Sequence, residues 1–156
     1  MRIAILAIGR LGRTPEAALA ADWAERATAS GRSLGLGPVE ILELDPRKPG
    51  KDAEAQVIAA QFARGDHLIA CDEHGQTHAS RAFAAHLGEL RDRGARRLVF
   101  AVGGADGLAP SILAEAQERL ALGPQTWPHA LARAMLAEQA VDYGIVTRIV
   151  QRASEI

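Results

Sequence analysis

The sequence predicts an α/β fold, a mostly parallel sheet with helices on both faces, and three observations carry that expectation. Short apolar runs such as Ile3 to Ile8, Val39 to Leu44 and Leu98 to Val102 lack the polar alternation of a half-solvated strand, so both of their faces should be buried. Between them lie segments with helical spacing and helix-start residues, the alternation that builds parallel sheets through crossover connections. Glycines cluster where the runs end, at Gly9 and Gly12 and again at Gly103, Gly104 and Gly107. That rim is where such sheets place their ligands. The 156 residues suit one domain, read here as spanning residues 1 to 156.

Ile3 to Ile8 is the first strand. Thr14-Pro15-Glu16 opens the first helix, with Thr14 as cap, Pro15 at the first helical position and an acidic first turn. Leu19, Trp23 and Ala27 recur four apart as its stripe, and Gly31, Gly35, Gly37 and Pro38 end it before a second strand, Val39 to Leu44. Asp45 to Lys51 has loop composition. Asp52 is placed to cap a helix in which Ile58 and Phe62 share a face. His67 to Cys71 forms the third strand and Asp72 to Thr77 a polar loop. Ser80 caps the next helix, whose stripe is Phe83, Leu87 and Leu90. Arg96 to Val102 is the fourth strand. After Pro110 come a short helix, Ser111 to Glu118, a brief strand, Arg119 to Leu122, and a loop stiffened by Pro124 and Pro128. Strong helix formers fill His129 to Ala140, with Leu131, Met135 and Leu136 on one side.

Nearly half the residues are apolar (48%) but only 4% are aromatic, so the core must be built from Ala, Leu, Ile and Val. Eighteen Lys and Arg against nineteen Asp and Glu exclude a strong global field, so an RNA partner would need a local patch. The single cysteine, Cys71, excludes an intrachain disulfide framework. The apolar run near Met1 is too short for a signal-peptide core or a membrane span, and a soluble cytoplasmic protein is expected.

Several residues carry two readings. Gly103 and Gly104 serve either a plain strand-to-helix turn or a wall against which a ligand packs. Arg47, Lys48 and Lys51 form the compact basic cluster, a solvated loop or a phosphate contact. Cys71 is a small buried hydrophobe or, beside a histidine, a nucleophile. Asp72 and Glu73 are solvated, or a base or ribose contact. His74 and His78 stand four apart without a third ligand nearby, so no metal site is expected. His129 opens a helix and Arg133 follows one turn later on the same side, a plausible pair for phosphate or base.

The chain resembles the RlmH family, the ribosomal RNA large subunit methyltransferases H. The resemblance rests on Leu-Ala-Ile-Gly-Arg-Leu at 6 to 11, Asp-Glu-His-Gly at 72 to 75 with Ser80 beyond, and Val-Gly-Gly-Ala-Asp-Gly-Leu at 102 to 108. Thr-Trp-Pro-His at 126 to 129, and Arg133 followed by Met-Leu-Ala-Glu-Gln at 135 to 139, complete it. It covers roughly residues 1 to 140. It implies a SPOUT-class α/β domain with a deep C-terminal trefoil knot, working as a homodimer. It further implies S-adenosylmethionine as methyl donor and N3 of a pseudouridine in 23S rRNA, read in the assembled ribosome, as acceptor.

Carried over by position, the cofactor is held by Cys71 at the third strand's end, by Gly103 and Gly104, and by Leu122, Gly123, Pro124, Gln125, Thr126 and Trp127. Arg10, His129 and Arg133, with Arg47, are the expected substrate contacts, and the resemblance names no catalytic base. Cys71 replaces the family's usual leucine. Family members end in a His-Pro-Tyr-His-like stretch, whereas residues 141 to 156 have no His, place Tyr143 as their one aromatic and put Asp142 where a basic residue is expected. A second reading follows, a homologue that keeps the cofactor or docks on ribosomes without methylating. A third is a nucleotide-binding flavodoxin-like domain.

Overall fold

The computed structural model describes residues 1–140. Strands β1 (Arg2–Ile8), β2 (Val39–Leu44), β3 (His67–Gln76), β4 (Arg97–Val102) and β5 (Glu118–Leu120) form a five-stranded sheet ordered β2-β1-β4-β3-β5. Every pairing is parallel, as the unbroken apolar runs require. Central β1 is buried from Ile3 through Ile8, and β4 from Leu98 through Val102. Edge strand β2 buries only Val39 fully and interleaves exposed Glu40 and Glu43.

Alternate residues of the central strands feed two cores. Ile5 and Phe100 pack with Ala24 and Ala27 of α1 (Pro15–Gly31), Phe83 and Leu87 of α3 (Ser80–Asp92), and Ala132 and Leu136 of α5 (residues 129–140). Leu6 and Val99 face the other way, onto Ala55 and Ile58 of α2 (Lys51–Ala59) and Ile112 of α4 (Pro110–Glu115). The low aromatic content thus shows in how the helices dock, since α1 meets the sheet through Ala20, Ala24, Ala27 and Gly31. No helix among the described residues is long and apolar enough to cross a membrane.

Local expectations met mixed outcomes. Thr14 caps α1 as read, its hydroxyl oxygen accepting from the Ala17 N–H at 3.3 Å. Of the stripe Leu19, Trp23 and Ala27, Ala27 is buried and Trp23 packs partly buried against the core, but Leu19 is exposed and Ala20 and Ala24 face inward instead. Asp52 does not cap α2. The helix starts at Lys51 behind Gly50, whose φ of 107° suits glycine alone. Ser80 is already helical, with Ala79 at the cap position. The segment read as a polar loop, Asp72 to Thr77, continues β3 as far as Gln76. α4 ends at Glu115 and β5 runs Glu118–Leu120, shorter and earlier than expected, since Gln117 leaves the helix to give its N–H to the Leu68 carbonyl. The tail residues Asp142 and Tyr143 lie outside the described residues.

Candidate functional site

Where β4 ends, the chain turns back on itself within five residues. Gly104 and Gly107 form an isolated bridge, with the Gly107 N–H donating to the Gly104 carbonyl at 3.1 Å. A β-carbon on Gly103 would stand 2.6 Å from the Gly107 carbonyl carbon, and one on Gly104 would stand 2.7 Å from Glu54 Oε1. At Gly103 the obstacle is backbone, so glycine is needed there; at Gly104 it is the far end of the Glu54 side chain, which can swing aside. The close approach anticipated from sequence is made, on these faces, by the loop's own backbone and by a carboxylate from α2.

Across the sheet, β5 holds two separate stretches of β3. Leu120 pairs with Cys71, and after an excursion through residues 72–75 it pairs again with Gln76. Gln76 then accepts from the Ala121 N–H at 2.9 Å. Gly75 rides directly over β5, since a β-carbon there would meet the Leu120 nitrogen at 2.7 Å. The excursion carries Glu73, whose Oε2 accepts from the Thr126 hydroxyl at 3.0 Å. The Trp127 indole N–H donates to the Leu122 carbonyl at 3.0 Å and closes the 122–127 loop. Cys71, Leu122, Gly123, Pro124, Gln125, Thr126 and Trp127 are therefore gathered around the end of β5. Gly103 and Gly104 sit at the end of β4, two strand spacings away, roughly 10 Å.

The Cys71 thiol packs against the core on the α1 side. Burial pushes its pKa up to about 12, so it stays protonated and acts as a small apolar wall. This sets aside the nucleophile reading.

The expected substrate residues separate. Arg10 is exposed, 3.8 Å from Asp45, and Arg47 is exposed in its loop. His129 is half-buried at the start of α5. Arg133 is inside, 1% exposed. Its Nη1 donates to Glu43 Oε2 at 3.0 Å, and its Nη2 donates to the carbonyls of Ile8 at 2.7 Å and Gly9 at 3.0 Å. Burial lowers the Arg133 pKa, opposed by the hydrogen bond and charge of Glu43. The same Glu43 oxygen accepts the Leu11 N–H at 2.7 Å. Arg133 thus ties α5 to the exit of β1 and the end of β2, beneath the loop that carries Arg10.

These pieces share one rim. The connection after β1 leaves through α1 toward β2, and that after β4 leaves through α4 toward β5, over the opposite face and in the opposite direction. The strand order therefore reverses between β1 and β4, where open parallel sheets form a ligand crevice. Sequence reading missed Glu54 and Glu43, because nothing local marks an acidic residue on a helix or edge strand as the partner of a glycine or arginine far along the chain.

A family model described as a predicted SPOUT methyltransferase matches residues 1–142. The chain is 66% identical over 139 residues to a ribosomal RNA large subunit methyltransferase H of Caulobacter sp. (strain K31), covering 89% of this chain and 90% of that protein. Similar proteins of the same name are 65% identical in Caulobacter vibrioides, over 89% of both chains, and 47% identical in Cereibacter sphaeroides (strain ATCC 17029), over 89% and 90%. The parallel sheet, the glycine turn and the proline-braced loop agree with these matches, and the chain belongs to the SPOUT methyltransferases and, among them, to the RlmH family.

Proposed function

We propose that this protein is an S-adenosylmethionine-dependent methyltransferase that methylates N3 of a pseudouridine in 23S rRNA of the assembled large ribosomal subunit. The reading extends to one domain over residues 1 to 156 with a C-terminal trefoil knot, acting as a cytoplasmic homodimer. The observation that carries it is the Glu73 to Thr126 hydrogen bond, which fixes the 122–127 loop over the end of β3, next to the strand that ends in Gly103 and Gly104.

The residues fit such a cofactor. Leu122 to Trp127 form a braced loop, largely exposed from Pro124 onward, whose backbone groups suit the edge of an adenine. Cys71 offers apolar surface, and Gly103 and Gly104 carry no side chains of their own. The bound cofactor supplies a methyl group already activated by its sulfonium. The chain's own residues then have mainly to orient donor and acceptor in line and to exclude water. Arg10 and His129 supply polar contacts to the RNA, with Arg133 holding their platform from within. A nearly neutral protein acting on an assembled particle relies on shape and a few phosphate contacts.

The family match and the relatives' names favour an enzyme over a non-methylating homologue. The test is mass analysis of 23S rRNA from a strain lacking the gene. Loss of one methyl group, restored by the intact gene, is expected; an unchanged methylation pattern together with no calorimetric heat from S-adenosylhomocysteine would refute the proposal.

A further inference from the structure

Glu54 lies on α2, half-buried, with its carboxylate packed on the face of Gly104. Among the described residues it has no hydrogen-bond or ion-pair partner through its side chain. Taking a carboxylate partly out of water without a partner is unfavourable, and such a group is retained where something cationic meets it. Its backbone N–H donates to the Gly50 carbonyl at 3.1 Å, so it sits in the opening turn of α2. The turn it touches leads from β4 into α4, on the same face as α2, at one side of the crevice between the ends of β1 and β4.

We infer that Glu54 is a cofactor-contact residue, its carboxylate receiving the ammonium at the amino-acid end of the methyl donor beside Gly104. This rests on the proposed function. Two features point to an ammonium. The carboxylate is a pure acceptor with no donor supplied by the chain, and the residue it touches is the glycine that makes its approach possible. The adenosine end then belongs to the 122–127 loop and the amino-acid end to the glycine turn, which gives the two separated walls different parts of one ligand.

The test titrates the unaltered chain, Glu54→Gln and Glu54→Asp with S-adenosylhomocysteine and with 5′-methylthioadenosine, which lacks the amino-acid end. Glu54→Gln is expected to bind S-adenosylhomocysteine about tenfold or more weakly, the size of one charge-assisted hydrogen bond. Methylthioadenosine should bind all three proteins alike, and Glu54→Asp should recover part of the lost affinity. Equal weakening for both ligands would show that the carboxylate only props the turn, and undiminished S-adenosylhomocysteine binding that it never meets the ligand. Either result overturns the inference while leaving the function standing. Absence of binding by the unaltered chain would instead strike the function, and the inference with it.

Discussion

Thr126 donates its hydroxyl hydrogen to Glu73 Oε2 at 3.0 Å, joining the proline-braced loop to the excursion of β3 from 53 positions away. Because the bond is exposed, removing it should cost little stability, about 1 kcal/mol or less. Thr126→Val and Glu73→Leu are each expected to leave the melting temperature nearly unchanged while weakening S-adenosylhomocysteine several-fold by calorimetry. The double variant should be no worse than either single one, as a shared contact demands.

The two glycines after β4 should respond differently to alanine. At Gly103 the obstacle is backbone, the Gly107 carbonyl carbon at 2.6 Å, whereas at Gly104 it is the movable end of Glu54 at 2.7 Å. Gly103→Ala is expected to destabilise by about 2 kcal/mol or more and Gly104→Ala by about 1 kcal/mol or less, measured by denaturant unfolding. Pairing Gly104→Ala with Glu54→Ala should recover that smaller loss.

Arg133→Met removes the partner of Glu43 and leaves the Ile8 and Gly9 carbonyls without their guanidinium donor. Because Glu43 is solvent-exposed, the cost comes mainly from the two carbonyls left without their donor; a loss of about 1–3 kcal/mol is expected, visible in thermal unfolding without any RNA present. If the variant melted like the parent and lost only ribosome affinity, an outward-facing role would be the better account.

The Cys71 thiol makes a pH-dependent contribution of known sign. The folded state keeps the proton up to about 12, while an unfolded chain releases it near the ordinary 9.0. Stability from this group is complete below pH 9, and it falls as pH rises toward 12, because only the unfolded state gains by losing the proton. Cys71→Ala should flatten that alkaline decline relative to the parent. Iodoacetamide at pH 8 should label the folded protein slowly and the denatured protein fast.

Much of the scaffold could be read from local pattern. Ile3 to Ile8 and Leu98 to Val102 announced buried parallel strands because neither face carries polar residues, and Phe83, Leu87 and Leu90 announced the inward side of α3. Caps were less legible: Asp52 and Ser80 have the right chemistry, but the chain enters each helix one or two residues earlier. Asp72 to Gln76 reads as loop because its strand character comes from β5 and not from its own composition. Arg133 shows the limit most plainly. Its charge suggested an outer surface, yet Glu43 and two carbonyls, 90 to 125 positions away, draw it inside.

With Leu120 gripping both Cys71 and Gln76, the three residues of β5 behave as a keystone. Their release would free the excursion, and through Glu73 the Thr126 loop, in a single event. Amide exchange at residues 72–76 and 121–127 should therefore rise and fall in concert, and slow together when a ligand is added. Ligand entry and departure would then keep time with one small edge strand.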